Sequence, residues 1–241
     1  MSPDRKTLER IDPETVRVGE VTGDATLRLH LERYRFASAH LAGGSILDLA
    51  CGVGYGTVML SEAPGVEHVV GVDVAPEAIA RANQNYRVPK VTFTVADGAH
   101  FGNPDSFDAV VSLETIEHVT DPAGFVAHLA TLVRPGGLLI GSVPVTPSMD
   151  GNPHHRTDFS VHSFRALGTR IGLVEVDELT QHQPFGAVGV LTGSEVRAVR
   201  SGGELLRWYL RHPGSLSRRM LSTVRHGFVN IYRTQVWQRT S

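Results

Sequence analysis

Five short apolar runs between Ser45 and Val145 constrain this chain more than any other feature: SILDLA (45–50), HVVGVDV (68–74), VTFTVAD (91–97), FDAVVSL (107–113) and GLLIGSV (137–143). They are near-continuously apolar rather than alternating, as strands covered on both faces should be. Helix candidates near 55–63, 76–85 and 121–133 fall between them, and such alternation is the signature of consecutive βαβ units and a parallel sheet. Local punctuation agrees. Asp73-Val-Ala-Pro76-Glu77 places a proline and an acid at a helix start, and Arg134-Pro135-Gly136-Gly137 is expected to stop the later helix before the fifth strand. The fold class is therefore α/β, with a doubly wound, mostly parallel sheet.

The flanks are read by the same rules. Leu27, Leu31, Tyr34 and Ala39/Leu41 recur at helical intervals, so residues 24–42 predict a helix packed on the sheet or over the site. Residues 146–160, TPSMDGNPHHRTDFS, are too polar for core and follow a strand end, where open α/β sheets bind ligands. Then come a helix over 160–172, a strand over 173–180, a candidate last strand at 187–192, and a largely helical remainder. The expected organisation is an N-terminal helical cap (1–44), a ligand-binding core (45–193) and a basic helical C-terminal extension (194–241).

Charge sharpens that last division. The 241 residues carry 23 Lys+Arg against 25 Asp+Glu, a net charge of −2 that argues against general nucleic-acid binding. Residues 194–241, however, hold nine arginines and no lysine against Glu195 and Glu204, so this segment is +7 and the rest is −9. Within it Leu216, Met220, Val224 and Phe228 recur every four residues beside Trp208, Tyr209, Tyr232 and Trp237. Three readings stay open: packing on the acidic remainder or in a homodimer, weak contact with an anionic membrane surface, and a pocket wall gripping an acidic acceptor such as a nucleotide sugar. No stretch approaches the roughly 18 apolar residues of a membrane span, and the first residues lack a signal-peptide run, so a cytoplasmic location is expected. With Cys51 as the single cysteine, neither an internal disulfide nor a cysteine zinc site can form.

The densest chemical signal is Ile46-Leu47-Asp48-Leu49-Ala50-Cys51-Gly52-Val53-Gly54-Tyr55-Gly56: a buried strand, an acid near its end, and three glycines opening a helix. Glycines there let backbone approach a ligand where a Cβ would collide. Asp73 ends the next strand 21 positions after Gly52, suited to a bidentate grip on a ribose diol. Asp97, followed by Gly98, ends strand three and is placed to read an adenine amino group. A nicotinamide dinucleotide is the competing tenant. Its G-x-G-x-x-G fingerprint requires a small third residue where Thr57 stands, and Asp48 beside the turn would repel a pyrophosphate while welcoming an ammonium group.

The D-x-A-C-G-x-G turn, the later acids, the F-D-x-V-V-S strand and R-P-G-G-x-L together resemble the class I S-adenosylmethionine-dependent methyltransferases over residues 45–143; only the stretch at His30–Ala37 and the Asn152–Ser160 region narrow that resemblance to bacterial small-molecule and sugar O-methyltransferases. The resemblance implies a Rossmann-like fold with S-adenosylmethionine as cofactor. It places Asp48, Gly52 and Gly54 at the methionine end, Asp73 on the ribose, Asp97 on the adenine and Leu113 beside the cofactor, with Ala50, Tyr55, Val74 and Gly98 completing the lining.

An alcohol acceptor must also lose a proton near the transition state, and a positioned base contributes about 10²–10⁴-fold. Two clusters qualify. Glu114, Glu117 and His118 would share one face of a helical turn after strand four. This E-x-x-E-H run is similar to that of ubiquinone-pathway O-methyltransferases and small-RNA 3′-terminal 2′-O-methyltransferases, which implies a divalent cation such as Mg; many metal-free relatives carry Glu-His here too, which implies instead a catalytic His118 near the acceptor, with the glutamates solvated or capping the helix. The second cluster, Asn152-Pro153-His154-His155-Arg156-Thr157-Asp158-Phe159-Ser160, resembles an N-P-x-H-x-x-[DE]-[FY]-[ST] pattern of bacterial methyltransferases. His155 is then the general base oriented by Asp158, or a further ligand beside His118; alternatively Asp158 or Ser160 only caps the next helix. His30-Leu31-Glu32-Arg33-Tyr34-Arg35-Phe36-Ala37 looks like the H-x-x-R-Y-x-F-A stretch of relatives acting on glycans and glycosylated metabolites, with Arg33 or Tyr34 within reach of the cofactor carboxylate unless the helix merely solvates its arginines. The expected activity is methylation of a hydroxyl on a sugar or glycosylated small molecule in natural-product or glycolipid biosynthesis. Carbon, nitrogen or phenolic acceptors, a non-catalytic cofactor-binding partner and a nucleotide-dependent oxidoreductase stand as alternatives.

Overall fold

A computed structural model describes residues 21–184, 200 and 202–240. In chain order the elements are α1 (Val21–His40), β1 (Gly44–Leu49), α2 (Tyr55–Ser61), β2 (Val66–Asp73), α3 (Pro76–Asn85), β3 (Val91–Val95), β4 (Phe107–Leu113), α4 (Pro122–Leu132), β5 (Val133–Pro144), α5 (Val161–Thr169), β6 (Val174–Pro184), α6 (Gly202–Arg211), α7 (Pro213–His226) and β7 (Val229–Gln238). The seven strands lie in the order β3-β2-β1-β4-β5-β7-β6, all parallel through β5, with β7 antiparallel to both neighbours.

Helix starts follow from their first residues. Pro76 opens α3 with Glu77 in its first turn; Asp121 accepts from the Gly124 N–H to cap α4; Ser160 and Ser163 cap α5 reciprocally. Apolar side chains fill both faces of the sheet. One layer gathers Leu47, Val110, Leu139, Leu129, Phe164 and Trp237 under α4 and α5, and the other gathers Ile46, Val69, Val111 and Ile140 under α1 and α2.

Two expectations are corrected. Arg134-Pro135-Gly136-Gly137 does not precede β5 but lies within it: Val133 already pairs with Phe107, and the register shifts before Leu138 pairs with Ala109. A Cβ on Gly137 would meet the Asp108 carbonyl oxygen at 2.5 Å, so this bulge requires glycine. The larger correction concerns 194–241. Helices α6 and α7 are present, but Val229–Gln238 is a strand of the core sheet, so the described part of this largely helical expectation is not helical to its end. The run VNIYRTQVWQ is rich in β-branched and aromatic residues, and Trp237 is fully buried against Phe164. The candidate last strand at 187–192 lies outside the described residues.

Candidate functional site

A cavity of about 780 Å³ opens at the carboxyl ends of β1, β2 and β4. Its floor is the turn between β1 and α2, where Ala50 (φ +65°), Gly52 (φ +56°) and Gly54 (φ +89°) all adopt left-handed backbone. The glycines do different work. A Cβ on Gly54 would strike the Phe93 ring at 2.6 Å, so this residue lets α2 pack on β3; a Cβ on Gly52 would meet no protein atom within 4 Å and would instead occupy the cavity. Ala50 and Glu114, two of the three non-glycine residues with positive φ among those described, line the cavity, as backbone strain held at a ligand site does.

Ala50, Gly52, Tyr55, Asp73, Val74, Asp97, Gly98 and Leu113 all line this cavity. The Asp73 carboxylate accepts from the Gly52 N–H at 3.0 Å and the Ala75 N–H at 2.8 Å, which ties the glycine turn to the end of β2. Asp97 stands at the exposed mouth, accepting from the Ala99 N–H.

Asp48 and Gly54, expected on the lining, are not on it. Asp48 is completely buried beneath the turn, where it accepts from the Thr57 hydroxyl at 2.6 Å and from the Tyr34 hydroxyl at 3.3 Å. Burial pushes its carboxyl up to about 7 against those two hydrogen bonds. A side chain in that position supports the turn from beneath instead of lining the cavity. Thr57, read from sequence only as a poor third glycine, is therefore the donor that satisfies the buried acid.

A second cavity of about 170 Å³ adjoins the first, sharing His30, Glu114 and His118 with it. Residues 114–120 form a turn rather than a helix, and Glu114 parts from the other two members of its expected triad. Its φ is +52°, its backbone N–H donates to Ser142, and its carboxylate accepts from the Ser142 hydroxyl at 2.8 Å. Glu117, His118 and His155 instead bring their donor atoms within 4.8 Å of one another. The buried Glu117 pins the two segments together, because its backbone oxygen accepts from the Arg156 N–H at 2.8 Å.

His155 and His118 meet edge to face, with ring centroids 4.7 Å apart. The Nδ1 of His118 lies 3.3 Å from the His154 carbonyl oxygen, and the Nδ1 of His155 lies 2.7 Å from the Ser148 hydroxyl. The Nδ1 of each ring is thus occupied; the Nε2 of His118 faces the Glu117 carboxylate at 4.0 Å, and the Nε2 of His155 is the nitrogen left to act as a base or a ligand. Burial first, then the neighbouring His118 and His154, lower the His155 imidazolium to about 3, so the ring is neutral near pH 7.

Asp158 does not orient His155 directly, as its expected role required. Its carboxylate accepts from the Ser148 and Met149 N–H groups at 2.8 and 3.0 Å, and it fixes the loop whose Ser148 hydroxyl holds His155. Nothing in the spacing of Ser148 singles it out in the sequence. Two more side chains were likewise unassigned. Half-buried His30 lines both cavities with its Nδ1 3.3 Å from the Tyr55 hydroxyl. Arg219 lines the second cavity and grips buried Asp150, Nε to Oδ2 at 2.7 Å and Nη2 to Oδ1 at 2.5 Å. Arg33 is buried against Gln181 and Tyr232 and does not reach the first cavity.

Comparison with known proteins agrees with this geometry. Residues 47–141 match the family described as "Methyltransferase domain". A ubiquinone biosynthesis O-methyltransferase of Burkholderia ambifaria is 30% identical over 174 residues, covering 62% of this chain and 73% of that protein. The chain belongs to the class I S-adenosylmethionine-dependent methyltransferase family. A probable S-adenosylmethionine-dependent methyltransferase of Mycolicibacterium smegmatis is 30% identical over 159 residues, and the chain spans only 60% of that relative's length. Among solved structures, the N-methyltransferase NodS of Bradyrhizobium japonicum in complex with S-adenosyl-L-homocysteine shares the fold, with a TM-score of 0.60, 15% identity, and 90% of this chain and 88% of that chain covered.

As a class I methyltransferase the first cavity has a defined tenant to fit. S-adenosylmethionine needs an acid for its ribose and a backbone surface free of side chains, and Asp73 and the open side of Gly52 are the residues that would meet those needs. No helix among the described residues is long and apolar enough to cross a membrane.

Proposed function

We propose that this chain transfers a methyl group from S-adenosylmethionine to a hydroxyl oxygen of a small, hydroxyl-rich acceptor such as a sugar or glycosylated metabolite. The observation that carries this reading is His155: a neutral imidazole, its Nδ1 anchored on Ser148, in a small cavity opening into the larger one. The cofactor supplies an electrophilic methyl on a positive sulfur. As the acceptor oxygen forms its bond to that methyl and the sulfur–carbon bond breaks, the acceptor proton passes to the free Nε2 of His155. Asp158 and Ser148 are positioning residues that hold the ring for this transfer, and alignment of the two reactants supplies several kcal/mol more.

Oxygen is favoured over other acceptor atoms because a nucleophile that must shed a proton is the one that needs such a base, and because the name of the Burkholderia relative specifies O-methylation. A hydroxyl-rich acceptor is supported by the polar side chains of Asn152, Gln183, Asn230 and Tyr232 around the second cavity and by the H-x-x-R-Y-x-F-A and N-P-x-H motifs. A cation-assisted variant has its own observation in the Glu117–His118–His155 cluster. Two imidazoles and a carboxylate suit a divalent cation, which would lower the pKa of the acceptor hydroxyl.

The test replaces His155 by Asn and follows radiolabelled methyl transfer to a panel of hydroxylated acceptors. Turnover is expected to fall at least about tenfold, towards the 10²–10⁴ typical of a lost base, with unchanged calorimetric affinity for S-adenosylhomocysteine. Near-wild-type turnover would discard His155 as the base. Failure of the wild type to bind S-adenosylhomocysteine would overturn the whole reading.

A further inference from the structure

Helices α6 and α7 are built inside out. On α7 the polar side chains point inward: Ser215 is buried and Arg219 reaches Asp150, while Leu216, Met220, Leu221 and Val224 face solvent, Val224 with 85% of its surface exposed. Helix α6 repeats the pattern, with Tyr209 turned inward to donate to Asp150 at 2.6 Å and Leu206 and Leu210 turned outward at 63% and 75% exposure. A surface helix of a water-soluble domain normally does the reverse, and an apolar face presented to water marks a contact surface.

The charge around this face identifies its partner. From Gly202 to Phe228 the only acid is Glu204, whereas Arg207, Arg211 and Arg225 are exposed beside the leucines. At one end a cavity of about 350 Å³ is lined by Arg200, Arg207, Arg211 and His212 with Glu204 and Trp208. The Arg200 guanidinium lies 4.3 Å over the Trp208 ring, which stacks on His212 at 3.8 Å. Arginine forks of this kind match phosphate oxygens bidentately.

We infer that α6 and α7 form a docking surface for an anionic phospholipid bilayer: Leu206, Leu210, Met220, Leu221 and Val224 enter the headgroup–acyl boundary, and Arg200, Arg207 and Arg211 receive a lipid phosphate. The helices lie in the plane of the surface, as amphipathic helices with a basic rim do. A second copy of this chain is the poorer occupant, because a two-fold contact through this face would set the same arginines against each other. The docking stands apart from the proposed reaction. One consequence rests on that reading: Arg219 of α7 also lines the acceptor cavity, so docking would hold that cavity close to the lipid surface and suit a lipid-linked acceptor.

Flotation with vesicles tests this. The full chain is expected to float with mixed phosphatidylglycerol and phosphatidylcholine vesicles at low salt, less at moderate salt, and not with phosphatidylcholine alone. Arg207→Glu with Arg211→Glu should lower the partition at least roughly 30-fold, from about fivefold per lost surface charge before charge reversal is counted. Leu221→Asp with Val224→Asp should abolish it. Both variants keep wild-type affinity for S-adenosylhomocysteine, which separates failure of docking from failure of folding or of the cofactor reading. Equal flotation with neutral vesicles, or variants that float like wild type, would overturn the proposal. So would light scattering that shows a dimer which Leu221→Asp with Val224→Asp dissociates, for then the partner is a second copy.

Discussion

Asp48 and His30 make opposite and separable contributions to the pH dependence of stability. Asp48 titrates near 7 in the native protein because it is completely buried, against an ordinary value of 3.8 when unfolded. Native protein therefore holds a proton that unfolded chain has released, and the stabilisation present below about pH 4 is lost as pH rises towards 7. His30 is the mirror case. Burial, helped by the Arg33 charge, lowers it to about 3 from 6.5, so unfolded chain binds the proton and stability is lost as pH falls below about 6.5. Between about pH 4 and 6.5 each group contributes a slope of roughly 1.4 kcal/mol per pH unit, with opposite signs, and together they cancel. Replacing Asp48 by Asn keeps an acceptor for the Thr57 hydroxyl but removes the titration. From about pH 5 to 6.5 this variant should gain about 2 kcal/mol relative to wild type, while His30→Asn should lose about the same. Guanidinium unfolding at several pH values, comparing each variant with wild type, measures both differences. If Asp48→Asn and wild type respond to pH identically, Asp48 is ionised throughout and is not desolvated beneath the turn.

Other perturbations separate support from binding. Arg219→Met leaves the Asp150 carboxylate buried with Tyr209 and the Gly151 N–H as donors, and breaking such a pair from one side should cost about 3 kcal/mol in chemical denaturation. Because Asp150 sits between Ser148 and His155, the same variant should lower kcat even where the protein is fully folded; an unchanged kcat would show that the loop keeps its shape without this latch. Gly52→Ala should weaken S-adenosylhomocysteine binding at least about tenfold with roughly 1–2 kcal/mol of backbone strain, since its Cβ enters the cavity. Gly54→Ala should instead lose roughly 1–3 kcal/mol of stability through the clash with Phe93, and calorimetry beside thermal unfolding distinguishes the two.

The sheet from β1 to β5 was legible because strands covered on both faces need no polar alternation, so their sequences read as unbroken apolar runs. Strand β7 was not, because Asn230, Arg233 and Gln235 interrupt its run. Arg233 donates to Thr180 and pairs with Glu178 across the sheet, and Gln235 donates to the Asp177 carbonyl. Those partners come from β6, some fifty residues earlier, and no local pattern announces them. The four-residue spacing from Leu216 to Phe228 also invited the helix to be extended to the end of the chain, although Gly227 ends it. Asp48 misled for a related reason. Its place beside the glycine turn suggests a ligand contact, while the pleat of β1 turns its side chain under α2 towards Thr57.

This contrast runs through the whole site. The cofactor cavity draws most of its lining from residues 49–119, each carried to a strand end by its own βα unit, so local sequence suffices to find it. The second cavity, proposed to take the acceptor, is assembled from His30 of α1, His118 after β4, Ser148 and His155 after β5, and Arg219 of α7. None of these spacings is fixed by a single turn of helix or strand, and the last is set by an ion pair between α7 and the loop that carries His155. On the proposed reading, acceptor choice is coupled to elements that lie mostly outside residues 47–141, the segment that matches the family model. Substitutions in α1, the 146–160 loop and α6–α7 of this chain are therefore expected to alter the proposed acceptor while leaving affinity for S-adenosylhomocysteine intact, since a fold fixes its sites only where their residues lie.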